Sequence, residues 1–190
     1  MNILAINGSH DKDGDVQFLL ETFSLECKKL GLDAEIVNAY EAVSDAKFPF
    51  CIKCSTPCQR ECYKGTKLET LFYKMKNADA IVVGSPVYFG SMSGQLKCLF
   101  DKTRAIRADL TGKLGAAVVC GASRFGGQEA TISDIHNVMY VEGMTVVGAA
   151  SKGIGAGHLG VSAQSPSKED EFALGRCISL AHRLYEELNK

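Results

Sequence analysis

Five short runs of consecutive apolar residues recur along the 190-residue chain. They lie at positions 3–7, 34–38, 80–84, 115–120 and 145–150. A strand covered on one face alternates apolar and polar residues, whereas a strand covered on both faces is apolar throughout. The five runs are therefore predicted to be strands of a buried parallel sheet.

Amphipathic patterns with a helical spacing of three or four residues separate these runs. They cover residues 15–30, 67–76, 93–107, 127–142 and 168–189. In the third of these segments the apolar residues are expected to face the core and the charged residues to face solvent. Strand followed by helix, five times over, predicts a parallel sheet with helices on both faces. The predicted fold class is α/β, a doubly wound five-stranded sheet of flavodoxin-like order 2-1-3-4-5, with residues 1–190 in a single domain.

Composition narrows the classes of function. The net charge is −1, so no electrostatic footprint for nucleic acid or for an anionic membrane is present, and we expect a small ligand. The chain enters an apolar run directly after Met1 without signal-peptide features, and no apolar run approaches the ~20 residues that span a bilayer. We therefore expect a cytoplasmic protein, in which disulfides are rare.

The segment 39–66 interrupts the alternation of strands and helices. It is too long for an ordinary connection, and its cysteines, prolines and lysines argue against a core element. We interpret it as a cysteine-rich insertion after the second strand. Four cysteines lie within twelve positions of it, at Cys51, Cys54, Cys58 and Cys62.

In a doubly wound fold the ligand binds beyond the carboxyl ends of the strands, where the strand order reverses. The residues to inspect therefore lie in the loops after the first, third and fourth strands. The loop after the first strand, residues 7–17, opens a helix whose N–H groups could receive a phosphate, although the lysine of a nucleotide P-loop is absent. The alternative is an ordinary turn in which Asp13 or Asp15 caps the helix.

The loop after the third strand is the most specific motif of the chain. Residues 84–102 contain a Ser-Pro-Val-Tyr turn, a Gly-Ser pair, Ser-Gly-Gln-Leu-Lys and Phe-Asp-Lys. This pattern resembles that of the NAD(P)H-dependent FMN reductase family, which has a flavodoxin-like fold. The resemblance implies that the loop borders the flavin ring, which fits a stiff turn and an unhindered backbone. The residues concerned are Ser85, Pro86, Val87, Tyr88, Phe89 and Gly90.

The resemblance extends to the loop after the fourth strand. There a Gly-Gly-Gln-Glu run begins the next helix, as it does in the family, and a simple flexible turn is the alternative. Contacts with FMN are implied for Ser123, Arg124, Gly126, Gly127, Gln128 and Glu129.

The first loop departs from the family pattern Gly-Ser-x-Arg-x-x-Gly-Asn-Thr. Asp11, Asp15 and Val16 replace its arginine, asparagine and threonine, so that two carboxylates stand where a phosphate would be held. If Asp15 faces the phosphate, its replacement by Asn should tighten FMN binding. The remaining FMN-binding candidates are Ser9, His10, Lys12, Gly14 and Gln17, together with Asp15 and Val16 themselves.

The four clustered cysteines have the spacing Cys-x2-Cys-x3-Cys-x3-Cys. Closely spaced cysteines are typical of iron–sulfur ligation, whereas structural zinc usually takes two separated Cys-x2-Cys pairs. A [4Fe–4S] cluster is the first interpretation, and zinc, a disulfide or inert thiols remain alternatives. The combination resembles the iron–sulfur flavoprotein branch of the family, whose middle cysteines are usually two residues apart rather than three. The other four cysteines fall on helix faces or strands and are expected in the core: Cys27, Cys98, Cys120 and Cys177.

These observations predict an FMN-dependent oxidoreductase that passes electrons between a one-electron carrier and an acceptor through a [4Fe–4S] cluster and FMN. No catalytic side chain is required. The alternatives are an NAD(P)H-dependent FMN or quinone reductase without a cluster, and a non-enzymatic electron carrier or binding domain. The expected partners are ferredoxin or NAD(P)H, and the resemblance implies a homodimer or homotetramer.

Overall fold

The computed structural model describes residues 1–155 and 157–190. Its strands are β1 (Asn2–Asn7), β2 (Asp33–Asn38), β3 (Ala80–Pro86), β4 (Leu114–Gly121), β5 (Thr145–Val146) and β6 (Val161–Gln164). Its helices are α1 (Asp15–Lys29), α2 (Ala39–Ser44), α3 (Lys67–Asn77), α4 (Gly94–Lys102), α5 (Arg107–Leu110), α6 (Gln128–Val141) and α7 (Glu171–Leu188). Within the described part of the chain, no helix has the length and apolar character that crossing a bilayer requires.

The sheet confirms the predicted topology. Its order is β2-β1-β3-β4-β5 and all pairs are parallel. The last position differs in detail from the prediction, because β5 pairs only with the start of β4, and β6 pairs with its second half. β5 ends at Val146, and the N–H of Val147 still donates to the Gly115 carbonyl. At Gly148 an added Cβ would lie 2.6 Å from the carbonyl oxygen of His158. The predicted strand 145–150 is therefore wrong beyond Val146, and β6 was not predicted.

Two apolar cores cover the two faces of the sheet. Alternate residues of β1 separate accordingly: Leu4 and Ile6 belong to the core beneath α2 to α6, and Ile3 and Ala5 belong to the core beneath α1 and α7. Burial on both faces explains why the central strands are apolar throughout. Cys27, Cys120 and Cys177 are buried as expected, and burial raises the pKa of each thiol to about 12. Cys98 is half-buried against the first core.

The insertion contributes more to the core than its composition indicates. Its first six residues form α2, whose Ala39, Ala42 and Val43 are buried, and Tyr63 near its end packs edge-on against Phe72. The interpretation of 39–66 as lacking core elements is therefore wrong at both ends. The missed signal is the pair Asn38 and Glu41, in which the Asn38 side chain accepts from the backbone N–H of Glu41 and caps the helix.

The predicted helix 93–107 is shorter in the structure. It ends at Lys102, a 3-10 turn follows over Thr103–Ala105, and α5 begins at Arg107. Its charged residues do not all face solvent, because Lys102 is only 2% exposed. This correction to the predicted charge pattern matters for residues 51–62, the cysteine segment, as described below.

A buried carboxyl group lies at the end of α6. Glu142 is 4% exposed, one of its oxygens contacts the Thr103 hydroxyl, and its Oε2 has no partner among the described residues. Burial raises the pKa of Glu142, although the contact with Thr103 opposes the shift. The Thr103 hydroxyl also donates to the Phe100 carbonyl, at 2.6 Å, so a protonated Glu142 satisfies both contacts.

We expect Glu142→Gln to raise the free energy of unfolding by about 1 kcal/mol at neutral pH, because it removes a buried charge and retains a donor for Thr103. A raised folded-state pKa stabilises the protein below the ordinary carboxyl pKa, and this contribution is lost as pH rises through the folded pKa. The advantage of the variant should therefore shrink in acid. Urea unfolding at neutral and acidic pH checks this, and a variant less stable than wild type at neutral pH would contradict it.

Candidate functional site

Three loops lie beyond the carboxyl ends of the central strands: the first loop (8–14), the second loop (87–93) and the third loop (122–127). Hydrogen bonds join the first two. The Ser93 hydroxyl donates to the Gly8 carbonyl at 2.6 Å, and the Gln95 side chain donates to the same oxygen at 3.0 Å. Ser93 also caps α4 by accepting from Leu96 N–H. The first and second loops are therefore held together by hydrogen bonds from side chains to backbone, in addition to apolar contacts.

The first loop presents an uncapped helix end. Gly14 is the N-cap of α1, and no side chain bonds to the free N–H groups of the first turn. The N–H groups of Asp15, Val16 and Gln17 have no acceptor among the described residues, as is usual for a first helical turn without a cap. The alternative interpretation, an ordinary turn in which Asp13 or Asp15 caps the helix, is therefore wrong in its cap. These donors and the helix dipole suit a phosphate.

Asp15 contacts a different part of the chain. Its carboxylate accepts from the Ser165 hydroxyl at 2.7 Å and from the Ser167 N–H at 2.6 Å, just after β6. Burial disfavours the charge, but these two donors, with Lys168 nearby, lower the pKa of Asp15 overall. The negative charge is thus satisfied within the protein, and the side chain ties α1 to the segment before α7.

Because Asp15 is engaged in this way, we expect Asp15→Asn to leave FMN affinity nearly unchanged and to cost about 1 kcal/mol of stability. A lowered folded-state pKa stabilises the protein above the ordinary carboxyl pKa, and this contribution is lost as pH falls through the folded pKa. The stability deficit should thus disappear in strong acid. Both effects are measured on Asp15→Asn and on Ser165→Ala, the affinity by fluorescence titration with FMN and the stability by urea unfolding. Tighter FMN binding in Asp15→Asn would show that its carboxylate faces the phosphate.

The other candidates in the first loop are mostly bonded within the protein. Ser9 is buried, its N–H donates to Asn7 Oδ1, and its hydroxyl accepts from Asp11 N–H. Lys12 forms an ion pair with Glu41 of α2. His10 is exposed. The Gln17 side chain bonds to Asn7 and Glu21, and the Val16 side chain is buried, so these two residues offer a ligand chiefly their backbone N–H groups.

The second loop is a tight turn. Tyr88 and Ser91 form an isolated antiparallel β-bridge. The two residues between them both have positive φ, 52° at Phe89 and 76° at Gly90. This is the pattern of a type I′ turn. The Phe89 ring is fully exposed, whereas Ser85 is buried and its hydroxyl accepts from Ser93 N–H. An added Cβ at Gly90 would meet nothing within 4 Å, so open space adjoins this backbone.

The third loop meets the second. Gly127 has a φ of 98°, and an added Cβ there would lie 3.1 Å from the Gly90 Cα and 3.4 Å from Val87. Gln128 is buried and its amide donates to the carbonyls of Ser123 and Ala163, which anchors the start of α6. The side chains of Arg124 and Glu129 are exposed. Gly127 therefore permits close packing of the second and third loops, whereas an added Cβ at Gly126 would lie 2.7 Å from the Ser123 carbonyl oxygen within the third loop itself.

A cleft of about 890 Å³ adjoins the third loop on the side of β6 and α7. Its wall includes Phe172, whose ring meets His158 edge-on with 5.4 Å between ring centroids. The Arg176 guanidinium lies 5.0 Å from the Phe172 ring centroid on the same wall. Residues of the third loop line the other side, so a ligand at that loop could extend into this space.

The four clustered cysteines are not gathered around one point. Cys54 is exposed and the other three are half-buried, and no group of three His, Cys, Asp or Glu in the described residues could hold a metal ion as it stands. Cys58 and Cys62 both lie near Tyr63, where burial first and then these thiols raise the pKa of the phenol to about 12, against the effect of Arg60. The Lys102 ammonium donates to Cys62 Sγ at 3.3 Å.

Several residues that build the site were not predicted. Ser93, Gln95 and Asn7 hold the loops through hydrogen bonds, and Ser165 and Ser167 bind Asp15 from more than 140 positions along the chain. Ser93 could have been found as a cap before an apolar run, whereas no local pattern indicates the contacts of Ser165 or Lys102.

The parallel sheet order and the three loops at its carboxyl edge define a flavodoxin-like α/β protein. The family described as NADPH-dependent FMN reductase matches residues 1–158. The chain belongs to this family, and it is an FMN-dependent oxidoreductase.

Individual relatives are similar over nearly the whole chain. An iron–sulfur flavoprotein of Methanocaldococcus jannaschii is 35% identical, covering 98% of this chain and 96% of its own. An iron–sulfur flavoprotein of Methanosarcina thermophila is 32% identical, covering 99% and 95%. Among solved structures, a WrbA-like flavodoxin of Agrobacterium tumefaciens has a TM-score of 0.69 at 16% identity, covering 97% of this chain and 95% of its own. That similarity concerns the fold.

Proposed function

We propose that this oxidoreductase passes electrons between a one-electron carrier and an acceptor through FMN and a [4Fe–4S] cluster on Cys51, Cys54, Cys58 and Cys62. The observation that carries the proposal is the buried ammonium of Lys102 on the last of four clustered cysteines. The names of two relatives that match nearly the whole chain, both iron–sulfur flavoproteins, support it. When bound, the cluster exchanges single electrons and the flavin one or two, which couples the two kinds of carrier.

The residues at the carboxyl edge suit FMN. The free N–H groups of Asp15, Val16 and Gln17 would hold its phosphate, because they are uncapped and lie at the positive end of a fifteen-residue helix. The second and third loops would border the ring, and Gly90 leaves open space beside its backbone. In this proposal no side chain of the protein acts as nucleophile or general base. The loops orient the ring and limit the access of water to it.

The cysteine segment suits a cluster by its chemistry. Four thiols within twelve residues supply the ligand set, and Lys53, Arg60 and the buried Lys102 offer positive charge to offset thiolates. Lys53 and Arg60 both have positive φ, 50° and 65°, so this part of the chain turns sharply. Because metal binding by thiolates is coupled to folding of the segment that carries them, we expect the four sulfurs to come together on loading.

The proposed partners are a small redox carrier, which the family indicates, and a second copy of the chain. The electron donor is NAD(P)H or a ferredoxin, and the cleft beside the third loop offers space for a substrate. Two fully exposed aromatic rings, Phe89 and Phe125, project from the second and third loops with positive φ. Because an exposed phenylalanine in this conformation is unfavourable in isolation, we propose that a second subunit covers these rings in a homodimer or homotetramer.

The proposal is tested on protein that is purified and reconstituted without oxygen. We expect iron and acid-labile sulfide in equal amounts, a broad visible absorption beneath the flavin bands, and bleaching by a one-electron donor. Zinc without sulfide would overturn the cluster. It would favour the second candidate, an NAD(P)H-dependent FMN or quinone reductase, which the family assignment supports directly.

A further inference from the structure

Lys102 is an unusual lysine because its whole side chain is buried. It lies at the end of α4 and is 2% exposed, and its ammonium points to Cys62 Sγ at 3.3 Å. Lysine is almost never fully buried unless it is paired with an opposite charge. The neighbouring Lys97, on the same helix, is exposed and forms an ordinary ion pair with Asp101.

The buried ammonium has no carboxylate partner. Among the described residues, no Asp or Glu oxygen lies within 4 Å of Lys102 Nζ, and Cys62 is its one hydrogen-bond partner. Removing a charge from water without an ionic partner costs several kcal/mol in general. Packing alone does not explain a lysine here, because methionine would fill the same volume without that cost.

We propose that Lys102 is the counter-charge of the metal centre, an inference that rests on the proposed cluster. Its ammonium donates an N–H···S bond to Cys62, positions that sulfur as a ligand, and offsets the negative charge of the thiolate-bound cluster. Adding an electron to the cluster adds negative charge, so a fixed positive charge nearby favours the reduced form. Lys102 is thus a positioning residue that raises the reduction potential of the cluster.

The position of α4 gives this contact a further role. Ser93, which caps the start of the helix, binds the first loop, and Lys102, its last residue, binds Cys62. Nine residues at 1.5 Å per residue separate its two ends by roughly 13 Å. One short rigid element therefore fixes the cysteine segment relative to the flavin loops.

The experiment compares Lys102→Met, Lys102→Arg and the control Lys97→Met, each reconstituted without oxygen. The midpoint potentials of cluster and flavin are measured separately, by EPR-monitored and absorbance-monitored titration. We expect Lys102→Met to lower the equilibrium constant for cluster reduction by about tenfold, or ~59 mV for one electron, and to leave the flavin potential nearly unchanged. Loss of the cluster from folded, FMN-binding Lys102→Met would support the same role. Lys102→Arg should stay closer to wild type, and Lys97→Met should match it.

Unfolding of the cluster-free proteins separates this role from a structural one. If the ammonium serves the cluster, Lys102→Met should be as stable as wild type or more stable without it. A Lys102→Met protein that is loaded with iron at unchanged potential, or that fails to fold when cluster-free, would overturn the inference. Absence of iron and sulfide from the wild-type protein would instead overturn the proposed cluster itself.

Discussion

Replacement of Cys54 by serine is expected to reduce the iron and acid-labile sulfide content of the protein to background while FMN stays bound. A serine hydroxyl does not replace a soft thiolate as a ligand of iron in a cluster. Cys54 is exposed, so its replacement removes no core contact and should not unfold the domain. Electron transfer from a one-electron donor to the flavin should be lost with the cluster. Iron and sulfide assays, with the flavin absorbance, measure both cofactors in one sample.

The matched control is Cys98→Ser. Cys98 is a half-buried thiol on α4, one helical turn before Lys102, and lies outside the group of four. The Cys98→Ser protein should retain its full iron and sulfide content. It should be modestly less stable than wild type, because a hydroxyl then replaces a thiol against the core. Equal iron content in Cys54→Ser and wild type would remove Cys54 from the ligand set. Equal loss in both variants would indicate that the cluster is sensitive to any disturbance of this region.

Replacement of Gly90 by leucine is expected to weaken FMN binding by on the order of tenfold to a hundredfold, the equivalent of overpacking a site by ~1–3 kcal/mol. Gly90 has a φ of 76°, and its backbone borders open space in which the flavin ring is proposed to lie. A side chain added there would occupy part of the volume of the ring. Fluorescence titration of the apoprotein with FMN measures the change in affinity.

Gly31→Leu separates the loss of space from backbone strain. Gly31 has nearly the same φ, 77°, and an added Cβ there also meets nothing within 4 Å, but it lies in the turn after α1. Both variants should lose ~1–2 kcal/mol of stability from the left-handed conformation. Only Gly90→Leu should lose FMN affinity. Unchanged affinity in Gly90→Leu would place the ring elsewhere, with the cleft beside the third loop as the next site to probe.

Most of the fold could be predicted from the sequence because its signals are local and repeated. Apolar runs of strand length between helical patterns predict a doubly wound sheet, and the order β2-β1-β3-β4-β5 confirms it. The fifth strand was only partly predicted. TVVGAA has strand composition throughout, yet β5 ends at Val146 and β6 pairs with the second half of β4, while the Ala149 N–H donates to the His158 carbonyl outside the sheet.

The candidate site was also predicted only in part from the sequence. The motif of the second loop was sufficient to indicate the family, which the match over residues 1–158 shows. The sequence could not indicate where Asp15 points. Two carboxylates in a phosphate loop suggest repulsion, but the partners of Asp15 are Ser165 and Ser167, 150 and more positions away. When a side chain contacts a segment that is distant in sequence, the spacing of nearby residues does not indicate that contact.

By itself, then, the sequence determined the sheet, its two buried faces and the family, since each depends on periodicity or on a contiguous motif. The tertiary structure alone decided which charges are satisfied and which residues lie inside. Lys102 has the spacing of a surface lysine on α4, yet it is buried because the cysteine segment folds over that end of the helix and brings Cys62 to its ammonium. Burial and partnership of a charged group depend on what packs against it, and that is a property of the assembled chain.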